Sequence, residues 1–124
     1  MNGTRFDKQE QYDKIASGLL PGETIIAVYD AIGGGTGFIG VTDLRVILQD
    51  NSFVGKKVAL TSVPYNRVHA VSFVSDKSMF GKFASTSQIA VSAGGQTHQV
   101  HFRGEEKGKF VHDAILAHML KADA

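Results

Sequence analysis

The hydrophobic pattern divides the chain into a short helical start, a long middle of period-two segments and a helical end. Residues 6–17, "FDKQEQYDKIAS", place Phe6, Tyr12 and Ile15 as sparse apolar positions before Gly18, which predicts a short amphipathic helix. "LLPGE" (Leu19 to Glu23) then reads as a turn, with proline fixing φ and glycine following it. β-Branched runs broken by turn residues come next: "TIIAVYDA", "FIGVTDLRVILQD" and "KVALTSVPYNRVHAVSFVSD", the last divided at Pro64. In "STSQIAVSA", Ile89, Val91 and Ala93 alternate with Gln88 and Ser92. In "QTHQVHFR", Val100 and Phe102 alternate with Gln99, His101 and Arg103, and Gly94-Gly95 joins the two runs as a tight hairpin.

The period changes at residue 105. Val111, Ala114, Ile115, His118 and Met119 share one helical face, which Phe110, Leu116 and Leu120 widen. Glu105 and Glu106 stand in the first turn and Lys121 near the last, as the helix dipole favours. The predicted order is a short helix (6–17), about seven strands (22–103) and a capping helix (105–121). It gives a mainly β, α+β domain built as a partly open antiparallel barrel, with the C-terminal helix over one end.

"AIGGGTGFIG" (Ala31 to Gly40) raises a competing possibility. Gly35, Gly37 and Gly40 satisfy G-x-G-x-x-G, and "GGTGFIG" resembles the nucleotide turn of short-chain dehydrogenases. A dinucleotide turn must open a helix, whose N-terminus holds the pyrophosphate. Here Leu44, Val46 and Leu48 alternate with Arg45 and Gln49, and the β-branched Val41, Val46 and Ile47 suit a strand better. About twenty residues beyond Gly40, where a ribose-binding carboxylate is required, the chain reads "KVALTSV". No tyrosine is followed four positions later by lysine, so the dehydrogenase pair is missing as well. The stretch is therefore expected to be a β-turn, with no cofactor.

Composition changes this picture little. The 124 residues suit a single domain spanning 1–124, with 43% hydrophobic and 20% charged residues. A net charge of +1 argues against a nucleic-acid partner, and the absence of cysteine removes disulfides, thiolate metal sites and thiol nucleophiles. No run approaches the ~20 apolar residues of a membrane span, and "MNGTRFDKQEQYDKIASGLL" has no signal-peptide core. A cytoplasmic protein without an integral membrane segment is expected.

The histidines do not assemble into a metal site. His98 and His101 fall on opposite faces of one strand, His112 and His118 are six apart rather than four, and His69 stands alone. The hydroxyls alternate along strands as solvent-facing residues do, without a nucleophile-elbow pattern. No metal and no enzyme activity are expected.

With the glycine stretch taken as a turn, "GFIGVTDLRVILQD" resembles the "G-x-x-x-V-T-D-x-R-(aliphatic)" signature of bacterial pleckstrin-homology (PH)-like domains, including the group called YokE-like. "LLPGETI", "SVPYNRVHAVSF" and "SMFGKFASTSQIAVSAGG" resemble that family's flanking segments in the same order, so the likeness covers residues 19–121. It implies the PH-like fold, with one strand ending at Thr42-Asp43 and the next beginning at Arg45. It also implies homo-oligomers, since bacterial members form rings.

Thr42, Asp43 and Arg45 are expected to be structural. Thr and Asp side chains cap tight turns, and Asp43 and Arg45, two apart, point to one side where they can pair. The apolar residues Val71 and Phe73, with Met79, Phe80 and Phe83 after them, form the candidate oligomer surface. Val71 and Phe73 lie opposite Val68, Ala70 and Val74 in a strand apolar on both faces, and the other three fall in the loop that follows. The alternative is that the N-terminal helix covers them within one chain. A rival function is anion or anionic-membrane-surface binding through Lys56, Lys57, Lys77 and Lys82 in turns. The loop at "IGGGTG" has none of the basic residues by which eukaryotic PH domains hold inositol phosphates, only backbone amides. The expectation is a non-catalytic interaction or assembly module whose first partner is itself, with an unknown protein partner also open, and the ligand- or membrane-surface-binding domain is the alternative to it.

Overall fold

A computed structural model of the chain describes residues 4–33, 36–50, 59–76 and 86–122. Strand β1 (Arg5–Phe6) and helix α1 (Gln9–Ala16) precede β2 (Ile25–Asp30), β3 (Thr36–Thr42), β4 (Arg45–Asp50) and β5 (Ala59–Pro64). A 3-10 turn (Tyr65–Arg67) leads to β6 (Val68–Asp76), β7 (Thr86–Ala93), β8 (Gln96–Arg103) and helix α2 (Glu106–Ala122). The strands form two sheets, ordered β1-β2-β3-β4-β5 and β6-β7-β8. Apart from the parallel β1–β2 contact, every pairing is antiparallel.

The sheets face each other across the main core. Ala27, Tyr29, Ile39, Val41, Val46, Leu48 and Val63 come from the first sheet and Ile89, Val91, Val100 and Phe102 from the second. Val111 and Ile115 of α2 close the space between them. The sheets meet at one corner, where Ile32 bridges His101 and the Thr36 hydroxyl donates to the Gln99 carbonyl at 3.1 Å. The opposite corner, between β5 and β6, stays unpaired among the described residues, so the barrel is partly open.

A second apolar layer lies on the outer face of the first sheet. Ile15 is the one buried residue of α1, and it packs with Val28, Phe38 and Ile47. Gly40 makes this docking possible, because a Cβ there would lie 2.8 Å from Ile15 Cδ1. The last glycine of "AIGGGTGFIG" therefore serves a helix contact. Earlier in the stretch Gly33 turns the chain with φ +85°, and a strand follows, as the alternation in "VTDLRVILQD" requires.

Two details depart from the sequence pattern. The N-terminal helix begins at Gln9 rather than residue 6, because Arg5 and Phe6 pair with Ala27 and Val28 and cover the edge of β2. Phe6 rests on Tyr12 with ring centroids 4.9 Å apart, and the Arg5 guanidinium lies 4.3 Å over the Phe110 ring. In β6, strict alternation grouped Val68 with Ala70 and Val74. A register shift between Val68 and Ala70 breaks it, so Val68, Val71 and Phe73 face the core while Ala70 and Val74 face out. One extra residue in a bulge reverses every side chain beyond it.

Candidate functional site

The Thr-Asp-x-Arg signature sits where two tight turns meet at the end of the first sheet. In Leu20-Pro21-Gly22-Glu23, proline and a glycine with φ +83° make a type II turn, and the Glu23 amide donates to the Leu20 carbonyl at 3.0 Å. The β3–β4 turn is held from inside by the Thr42 hydroxyl oxygen, which accepts from the amides of Leu44 and Arg45 at 3.1 Å each. Asp43 ties the turns together. Its carboxylate accepts from the Thr24 amide at 2.8 Å and its amide donates to the Thr24 carbonyl at 3.0 Å.

Arg45 does not pair with Asp43, as the two-residue spacing suggested, but with Glu23. Nε donates to Oε2 at 2.8 Å and Nη2 to Oε1 at 2.9 Å, a bidentate fork. Its remaining donors reach the Ser62 hydroxyl and the Gly18 carbonyl, both at 2.9 Å. Glu23 also accepts from the Thr42 hydroxyl at 2.6 Å and the Leu20 amide at 2.9 Å. Its side chain is fully covered and that of Arg45 is 18% exposed. The guanidinium hydrogen bonds, opposed by burial and aided by Leu20 and Thr42, hold the Glu23 carboxyl down at about 2 and raise Arg45 above its ordinary value. A carboxylate with both oxygens occupied is poorly placed to take a proton, so the cluster is built for staple duty between turns.

Glu23 was not singled out from the sequence. Its only trace was the Gly-Glu of the entry segment "LLPGETI", since a partner 22 residues away leaves no periodic signal. Tyr65 extends the cluster by donating to the Thr42 carbonyl at 2.6 Å, and burial above all pushes its phenol well above the ordinary tyrosine range. His118 stacks on Tyr65 with centroids 5.0 Å apart, and its Nδ1 lies 2.8 Å from the Ala114 carbonyl. His112 contacts Asp113 through Nδ1 at 2.9 Å. Among the described residues no three candidate ligands cluster around a metal position.

The other candidates are dispersed. Val71 and Phe73 pack against the main core, with Phe73 beside His112 of α2 and close to Gly108, so the C-terminal helix covers them rather than the N-terminal one. They do not form an exposed surface. Met79, Phe80, Phe83, Lys56, Lys57, Lys77 and Lys82 lie outside the described residues. A cleft of about 360 Å³ opens beside the stapled turns, lined by Asp43, Leu44, Tyr65 and Lys121 among others. A larger one, about 570 Å³, lies between β5 and the β7–β8 hairpin.

Two facing sheets, one open corner and a C-terminal helix over the core describe a known fold, and the sequence decides the family. The family model described as bacterial PH domain matches residues 1–119. The chain belongs to the bacterial PH domain family. Its fold is likewise shared with solved bacterial PH domains. A pleckstrin-homology domain from Shewanella amazonensis SB2B, 21% identical, aligns over 92% of this chain and 99% of its own with a TM-score of 0.65. A DUF1696 family protein with a pleckstrin-homology domain from Shewanella loihica PV-4, 19% identical, aligns over 91% and 93% with a TM-score of 0.61. No curated protein matches this bacterial PH domain. Among its described residues no helix is long and apolar enough to cross a membrane.

Proposed function

We propose that this bacterial PH domain is a non-catalytic, cytoplasmic interaction module that assembles with copies of itself through the edge of β6. The observation that carries this reading is the open corner, where β5 and β6 end their sheets without a strand neighbour among the described residues. Such edges present unpaired amides and carbonyls, which proteins ordinarily protect with lysine, proline or a covering segment. β6 (Val68–Asp76) contains no lysine, arginine or proline along nine residues. Its outward face carries Ala70 and Val74, the latter 52% exposed, and Leu60 on neighbouring β5 is 47% exposed. A strand from a second copy laid along β6 would satisfy the backbone and cover these side chains together.

Size-exclusion chromatography with light scattering on the full chain tests it. The expected mass is a multiple of the 13.3 kDa chain. Val74→Lys, which charges the edge without touching the core, is expected to return the monomer at unchanged melting temperature. A wild-type monomer at micromolar concentration overturns the proposal, as does an oligomer that Val74→Lys leaves intact.

A further inference from the structure

β2 has β3 along one edge, and along the other the chain lays its own N-terminal segment. Only two residues of that segment pair with it in parallel, Arg5 with Ala27 and Phe6 with Val28. Neighbouring groups finish what so short a strand leaves open. The Thr4 hydroxyl donates to the Ile25 carbonyl at 3.1 Å, and an Asp7 carboxylate oxygen accepts from the Asp30 amide at 3.0 Å. The Asp7 amide donates to the Val28 carbonyl at 3.2 Å. Arg5, Phe6 and Asp7 all remain exposed, so hydrophobic burial is not what fixes the segment in place.

Charge against α2 does that instead. The Arg5 guanidinium lies 4.3 Å over the Phe110 ring, and Lys107 donates to the Asp7 carboxylate at 2.9 Å. Lys107 also stands 5.6 Å from the centre of the Tyr29 ring, which meets Phe110 edge-on with centroids 6.2 Å apart. A cation and a carboxylate two residues apart thus face an aromatic surface and a cation, each opposite its complement. This is how an added strand is held: backbone pairing supplies affinity, and side chains at alternate positions supply specificity. Nor does the segment fill the space. A cleft of about 300 Å³ remains beside Asp7, lined by Ile32, Arg103 and Lys107 among others. We propose that the edge of β2 and the first turns of α2 form a strand-addition groove for an extended segment of another protein chain carrying Arg-x-Asp, which residues 4–7 occupy in cis as an autoinhibitory strap. Because it is tethered, the strap meets the groove at an effective concentration on the order of millimolar, which shuts out a micromolar competitor until the strap lifts. The groove lies at the closed corner of the sandwich, away from β6, so it stands whether or not the chain self-associates.

Titration of the full chain with the peptide TRFDKQ, which repeats residues 4–9, followed by ¹H–¹⁵N NMR, tests it. In the double variant Arg5→Ser/Asp7→Ser, whose own strap is unlatched, saturable shifts confined to residues 25–30 and 107–110 are expected. Wild type is expected to bind the peptide about ten-fold more weakly, because its strap competes. The same peptide with its arginine and aspartate exchanged is expected to bind the double variant about five-fold more weakly than the native order. Unperturbed signals from β7 and β8 report that each variant is folded. Asp7→Asn, which keeps the shape and an acceptor for the Asp30 amide, is the gentler second variant, with an affinity expected between those of wild type and the double variant. Failure of both variants to bind saturably, a wild-type affinity equal to theirs, or indifference to the order of the two charges overturns the proposal.

Discussion

The two sheets of this domain face the same core and differ in what lies behind them. In β3 the five residues from Phe38 to Thr42 are all buried, because α1 lies on the outer face and the second sheet on the inner. In β8 only Val100 and Phe102 are buried, and Thr97, Gln99, His101 and Arg103 meet solvent. A strand covered on both sides reads as a continuous apolar run, and a strand covered on one side reads as alternation. In β3, Gly40 serves close approach, whereas Gly94 and Gly95 serve a turn with φ of +58° and +81°.

Substitution of outward positions breaks or sharpens this contrast. Phe38→Ala, on the outer face of the first sheet, is expected to destabilise the protein by about 4 kcal/mol, measured by denaturant unfolding. Next is Arg45→Met, which strands the buried Glu23 carboxylate and is expected to cost about 3 kcal/mol. That variant also has a pH signature. Because the Glu23 carboxyl is depressed in the folded state, its contribution is present above its ordinary value of 4.5 and is lost as pH falls toward about 2. Melting temperature should therefore drop through this acid window in the wild type and drop less in Arg45→Met.

Gly40→Ala pushes a methyl against Ile15 and is expected to cost about 1–2 kcal/mol, with part recovered in the Ile15→Val double variant. Gln99→Lys, facing solvent on the second sheet, should stay within about 0.5 kcal/mol of wild type. If it matched Phe38→Ala, the distinction between the two outer faces would be lost.

What the sequence revealed follows the same division. The hairpin at Gly94-Gly95, the capping helix and the turn at Thr42-Asp43 were legible because each is specified by neighbours within a few residues. The PH-like fold was legible through four short segments in order. The bulge after Val68 was not, since His69 carries no mark of the extra residue and only pairing with β7 reveals it. The same holds for the shift between Ile25 and Ala27, which lets Ile25 join the outer layer and Ile26 the inner. Strand β1 escaped notice because two residues are too few to show a period. In the stapled turns the local part (Thr42, Asp43) was readable, and the long-range part (Arg45 to Glu23) was not.

The attachment of α1 has a consequence for how the molecule opens. An eight-residue helix is marginal by itself, and this one is fastened through buried Ile15, the partly buried Tyr12 and Ala16, and a few polar ties, such as Gln11 to Asp30 at 2.7 Å. Releasing it needs far less free energy than separating the sheets, so its amides should exchange with deuterium well before those of β3. Each such excursion bares Val28, Phe38 and Ile47 while the sandwich beneath stays folded. The outer face of the first sheet thus depends on one short helix for its cover.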